Sequence, residues 1–186
     1  MSVLLALLLA TSPAASPDRA MLEAFKSACA STGDMEKMKA DALAAGWQEM
    51  AEDSDPRVAR LIRNGRDEAG SDAQVSGAAF HRTEADRDLF LVQSRAVSAE
   101  GYWGIGCRVY DFAAAAPLDP ALLTAWMGKP PTGVETPAPG LGRRLWEPGW
   151  RSGISVEASH VAPGHPLGQS LGLQGNILVA LAIGGF

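Results

Sequence analysis

The sequence predicts an α+β fold: an antiparallel sheet of about six strands, amphipathic helices at the N-terminal side, and one further helix between two three-stranded runs. Three observations carry this. Apolar residues recur at helical spacing up to residue 70 and again around Leu122. They run as strand-like segments through the middle and the end of the chain. The middle segments are joined by turns too short for a parallel crossover. Helices and strands that come in groups, without strict alternation, argue against a doubly wound parallel sheet.

From 17 to 32, Met21, Leu22, Phe25, Ala28 and Cys29 form one helical stripe. Asp34 is an N-cap for a second helix through Met35, Met38, Ala42 and Leu43; Gly46 stops it, and Trp47 folds back past the glycine. Asp55-Pro56 gives cap and first turn in the preferred order for a third helix, with Val58, Leu61 and Ile62 on one face and Gly70 at its end. Strand signals follow at 74–83, 88–97 and 102–112, separated by Glu84-Ala85-Asp86-Arg87 and Ser98-Ala99-Glu100-Gly101, which are of hairpin length. A fourth helix opens in Pro117-Leu118-Asp119-Pro120, carries Leu122, Leu123, Trp126 and Met127, and ends at Gly128 before Pro130-Pro131. A Pro- and Gly-rich loop to Gly142 precedes strands at 143–147, 153–161 and 176–183. The glycine-rich stretch 164–175 reads as an irregular connection of the kind that can border a site.

Residues 1–15 read as a secretory signal peptide. Val3 to Ala10 is an unbroken apolar run, and the small residues Thr11-Ser12-Pro13-Ala14-Ala15-Ser16 follow at once. A membrane span needs about 20 apolar residues, which this run does not reach before Pro13. Ser12 and Ala14 place cleavage after Ala14, with Ala15 as the second choice. No Lys or Arg precedes the run, so a buried N-terminal helix or strand is the alternative. No cysteine follows it, which disfavours a lipid anchor. The remaining 16–186 have the size of a single α+β domain, and the expected address is the periplasm or the medium.

Lys and Arg number 16 against 21 Asp and Glu, for a formal net charge of -5. The signs are interleaved along the chain. That excludes a nucleic-acid partner, which wants a basic face, and there is no basic amphipathic helix for a membrane surface. Arg outnumbers Lys and Ala and Gly abound, in keeping with a GC-rich bacterial genome.

Cys29 and Cys107 are the only two cysteines. In an exported protein an even pair reads as one disulfide. Cys29 lies on the stripe of Leu22 and Phe25, while Trp103, Ile105, Cys107 and Val109 share one strand face by the period-2 rule. Both sulfurs therefore point inward. A bridge would close a loop of roughly 80 residues, for which loop-closure entropy gives roughly 4 to 5 kcal/mol. Two separate buried thiols are the alternative, and the wide spacing lacks the signature of a zinc or redox motif.

Helical Phe25-Lys26-Ser27-Ala28-Cys29, the Gly46-Trp47 helix exit and the strand Cys107-Arg108-Val109-Tyr110-Asp111 resemble a group of small exported alphaproteobacterial proteins of unknown function. The likeness spans most of the chain after the leader. It implies export and the cysteine pairing, and it carries over no catalytic residue.

Chemistry-bearing residues form no recognised catalytic pattern. His160 shares a strand face with Ile154 and Val156; His165 follows in Val161-Ala162-Pro163-Gly164-His165-Pro166. With Glu157 or Asp111 they could bind a metal, but a structural His160 and a solvent-facing His165 fit the spacing better. His81 stands apart from both. No Gly-x-Ser-x-Gly elbow is present, and Gly104-Ile105-Gly106 and Gly140-Leu141-Gly142 lack the rest of a dinucleotide loop. The acids Asp86 and Asp88, and Glu52, Asp53 and Asp55, sit where turns and helix starts place them. No cofactor is implied.

Binding is better supported than catalysis. Arg143-Arg144-Leu145-Trp146-Glu147-Pro148-Gly149-Trp150-Arg151 sets two indoles among three guanidinium groups around a Pro-Gly turn. Exposed, that turn would offer stacking and cation-π surfaces to a small molecule, a glycan, a peptide or an envelope protein; buried, the rings are simply core. The expected function is thus a non-enzymatic binding or inhibitor-like module, with Trp146, Trp150, Arg151, His160 and His165 as candidate ligand-binding residues. A hydrolase or metal-dependent enzyme centred on His160 and an envelope-associated structural protein are the alternatives.

Overall fold

The computed structural model describes residues 16–186; the expected leader, 1–15, lies outside them. Ser16 caps α1 (Pro17–Cys29), its hydroxyl accepting from the Arg19 amide, and Pro17 occupies the first turn, where its missing N–H is no loss. The helix buries Met21, Leu22, Phe25, Ala28 and Cys29, the stripe that its spacing predicts. Asp34 caps α2 (Met35–Ala44). At its end the Gly46 amide donates to the Leu43 carbonyl and the Trp47 amide to that of Ala42, with Gly46 at φ +84° and Trp47 buried. This is the Schellman geometry, which satisfies two terminal carbonyls and docks the following apolar residue.

The chain then forms β1 (Gln48–Met50), α3 (Pro56–Ala69) capped by Asp55, and three long strands: β2 (Gln74–Glu84), β3 (Arg87–Val97) and β4 (Trp103–Asp111). Next come α4 (Pro120–Met127), capped by Asp119 and ended by left-handed Gly128, then β5 (Gly133–Ala138), β6 (Leu141–Trp146), β7 (Ser155–Val161), α5 (Pro166–Leu171) and β8 (Gly175–Gly184). All described strands join one antiparallel sheet of order β1-β2-β3-β4-β8-β7-β6-β5. Each half of the chain builds inward from an edge, and the last strands of the two halves, β4 and β8, meet in the centre.

The α+β architecture stands, but the sheet has eight strands where about six were expected. The two additional strands are its edges. β1 has three residues, and β5 lies in the segment read as a Pro- and Gly-rich loop, with Pro137 and a register shift between Glu135 and Ala138. Proline is tolerated on an edge because its missing donor leaves no ladder bond unmade. The short α5 sits inside the stretch expected to be irregular.

Helices cover both faces of the sheet. On one, α1, α2 and α4 enclose a dense core that includes Phe25, Trp47, Phe80, Leu91, Trp146 and Leu178. On the other, α3 and the α5 segment pack on Val58, Phe90, Tyr110, Phe112 and Ile177. Cys29 and Cys107 form a disulfide, fully buried with Cα atoms 5.6 Å apart, which joins the last turn of α1 to the middle of β4. Arg87 adds an ionic tie, reaching Asp18 at 3.0 Å and buried Asp111 at 3.2 Å. Among the described residues no helix is long and apolar enough to cross a membrane.

Two stability predictions follow from these contacts. The disulfide spans 78 residues of sequence, so loss of the bond in Cys29→Ala/Cys107→Ala should lower unfolding free energy by about 4 kcal/mol. Urea denaturation against the oxidised protein measures this, and an unchanged midpoint would contradict it. The β2–β3 hairpin turns through Ala85 at φ 49° and Asp86 at φ 61°, the all-left-handed pair that favours Asn-Gly. Ala85→Asn/Asp86→Gly should therefore raise stability by about 1 kcal/mol in the same assay.

Candidate functional site

Of the residues singled out in the sequence, Trp146 and His160 are buried, Trp150 and His165 half-buried and Arg151 exposed. Trp146 is fully buried, and its indole N–H donates to the Lys129 carbonyl at 3.1 Å. Trp150 packs half-buried against Phe25 and Trp126, with ring centroids 5.5 and 6.4 Å away. The Arg151 guanidinium donates to the carbonyl of buried Thr32, and Lys129 donates to the Pro148 and Gly149 carbonyls at 2.7 Å each. The Trp146–Arg151 turn thereby clamps the β6–β7 connection onto the α1–α2 turn.

The histidines are likewise occupied one by one. His160 is buried, its Nδ1 3.0 Å from the Asn176 side-chain oxygen, while Asn176 donates to the Ala116 carbonyl. The void beside it measures about 20 Å³, room for a single water. His165 caps α5, its Nδ1 accepting from the Leu167 amide at 3.2 Å. His81 pairs with Asp88 at 3.0 Å. Among the described residues no group of three or more His, Cys, Asp or Glu side chains is placed to hold a metal.

A cleft of about 490 Å³ lies elsewhere, between α3 and the second face of the sheet. Its origin is the period-2 rule applied to β4. With Ile105, Cys107 and Val109 turned to the α1 side, Gly104, Gly106, Arg108 and Tyr110 must point to the other. Cross-strand register sets Gly77 beside Ser94, Ser94 beside Gly106, and Gly106 beside Leu181. Two glycines and a serine in one rung leave a trough where neighbouring rungs carry larger side chains. Gly77 admits no substitute, because a Cβ would collide with the Gln93 carbonyl oxygen.

The roof is α3. Its N-terminal half is anchored by buried Val58 and by Arg57, whose guanidinium lies 5.0 Å from the Phe90 ring centre and 4.6 Å from that of Phe112. Arg60 and Asn64 donate to the Ser170 and Leu171 carbonyls at 2.9 and 3.2 Å, and Arg66 pairs with Glu52 at 2.8 Å. Leu61, Ile62, Gly65 and Ala69 line the cleft from above, while Leu171, Leu173 and Leu181 line it from the α5 and β8 side.

Arg108 occupies the trough. Its guanidinium folds back along its own strand over Gly106, so a Cβ at Gly106 would sit 2.9 Å from Cζ, and Nη1 donates to the Ser94 hydroxyl at 3.0 Å. Among the described residues no carboxylate oxygen lies within 4.0 Å of it. Tyr110, stacked on Phe112, lines the same cleft; burial pushes its phenol pKa up, and the Arg108 charge works against that rise. The sequence signal for this site is the alternation Gly104-x-Gly106-x-Arg108-x-Tyr110 opposite the Cys107 face.

The chain has two tyrosines, so in Tyr102→Phe the tyrosinate absorbance reports Tyr110 alone. Its phenol should ionise above the ordinary value of about 10. Arg108→Met in that background should move it higher still, because the charge that favours tyrosinate is gone. A titration midpoint unchanged by Arg108→Met would contradict the proximity of the two groups.

Comparison with known proteins finds no matching family, no matching curated protein and no matching solved structure.

Proposed function

We propose that the protein is an exported, non-enzymatic binding module that takes a small, largely apolar molecule into the cleft between α3 and the sheet. The observation that carries this reading is the cleft itself: about 490 Å³, floored by Gly77, Ser94 and Gly106 and walled by aliphatic side chains. Its volume falls in the roughly 300 to 1,000 Å³ of ordinary ligand sites, which combine apolar walls with a few polar groups. Packed interiors leave few voids larger than a water molecule, and the dense opposite face of this sheet follows that rule. Export is supported by the leader pattern in residues 1–15 and by the buried disulfide, a bond rare in reducing compartments.

Gly104→Leu provides the test. A Cβ at Gly104 meets only Ile183, at an ordinary 3.9 Å, so the larger side chain enters the cleft without straining the backbone. The protein from residue 16 onward should bind the neutral fluorophore N-phenyl-1-naphthylamine with one-to-one stoichiometry. Gly104→Leu should weaken that binding at least tenfold with no loss of melting temperature. Equal binding by both proteins, or none by either, would overturn the assignment of the cleft.

A further inference from the structure

Resting on the cleft as the ligand site, we infer that its ligand is an amphipathic monoanion, a single carboxylate on an apolar body, with the carboxylate seated on Arg108. A guanidinium carries five N–H donors and cannot lose its charge. Here one nitrogen donates to the Ser94 hydroxyl, and no carboxylate of the described residues stands within ion-pair distance. The group is half-buried in a cleft of mostly aliphatic walls. Charges in such places are normally paired, and Arg66, the other arginine that lines the cleft, is paired with Glu52, while Arg60 above it makes a carbonyl hydrogen bond. Arg108 differs from Arg66 in this, and the chain keeps it in place by two devices. Gly106 leaves the space in which the guanidinium lies, and Ser94, directly across from Gly106 in the register, accepts its hydrogen bond. A planar fork held against the floor of an apolar trough matches one carboxylate, which it can meet through two parallel hydrogen bonds.

The charge around the opening limits the ligand further. Glu52 and Glu68 line the cleft alongside Arg66 and Arg108, so two carboxylates offset two guanidinium groups. A polyanion such as a nucleotide would meet the acidic side chains as well as Arg108. A monoanion satisfies Arg108 and places the rest of its surface against Leu61, Ile62, Leu173 and Leu181.

Calorimetric titration with decanoate, decan-1-ol and decyltrimethylammonium tests this. Decanoate should bind at least tenfold more tightly than decanol, and the cation more weakly than either. Raising ionic strength should weaken decanoate alone. In Arg108→Met the decanoate-to-decanol ratio should fall to about one. In Gly106→Ala, which keeps the charge and puts a methyl group where the guanidinium lies, the ratio should also fall. Should Arg108→Met fail to fold, the wild-type ratio and the Gly106→Ala ratio decide. Equal binding of decanoate and decanol by the wild type would overturn the monoanion while leaving the cleft as a binding site. Failure of all three ligands and of N-phenyl-1-naphthylamine to bind would instead remove the cleft assignment on which the inference rests.

Discussion

The Cys29–Cys107 bond determines more than the docking of one helix. It holds the end of α1 against the central strand of the sheet and so dictates which face of β4 points to α1. Once that is decided, every second residue of the strand is committed to the other side, because slipping the register by one position would carry Cys107 away from its partner. The cleft residues Gly104, Gly106, Arg108 and Tyr110 are therefore displayed under α3 as a consequence of a crosslink on the far face. Arg87 reinforces the arrangement by joining α1, β3 and the end of β4 through Asp18 and Asp111.

The two faces of the sheet differ in how well their volumes are filled. The α1 side stacks large rings and branched chains, with Trp47, Trp146, Phe25 and Phe80 among its fully buried residues. The α3 side has comparable packing only at one end, around Phe90, Tyr110 and Phe112. Towards the middle its floor shrinks to glycine and serine beneath α3. Open space is the result. An apolar interior would ordinarily lose stability to such a void, so the small residues that create it, and the charged one that occupies it, form a single arrangement.

Much of the architecture was legible because it is encoded locally. Caps at Asp34, Asp55 and Asp119, stops at Gly46, Gly70 and Gly128, and the three long middle strands all follow from a few neighbouring residues. The inward direction of both cysteines followed from periodicity alone, and the structure bears out their pairing. The edge strands were not legible: three residues in β1 are too few to show alternation, and Pro137 in β5 reads as a loop unless it is known that the strand has only one neighbour. The cleft under α3 was not legible for a related reason. Trp146, Trp150, Arg151, His160 and His165 attract notice by residue type, yet what they do depends on distant or carbonyl partners such as Lys129, Thr32 and Asn176. Arg108 looks unexceptional in a list of side chains. Its character comes from Gly106 two residues before it, which the local alternation shows, and from Ser94 on the next strand and a helix some forty positions earlier, which it does not.

The same two edge strands limit how the protein can associate. An open antiparallel sheet exposes unpaired amide and carbonyl groups along both margins, and a long flat margin invites another chain to add a strand. Here β1 covers only residues 79–81 of β2, and the opposite margin, β5, is interrupted by a register shift and a proline that offers no donor. On the β5 side the shift and the proline break the run of alternating groups that a full ladder needs. Backbone geometry therefore opposes strand addition at the β5 margin, independently of surface charge.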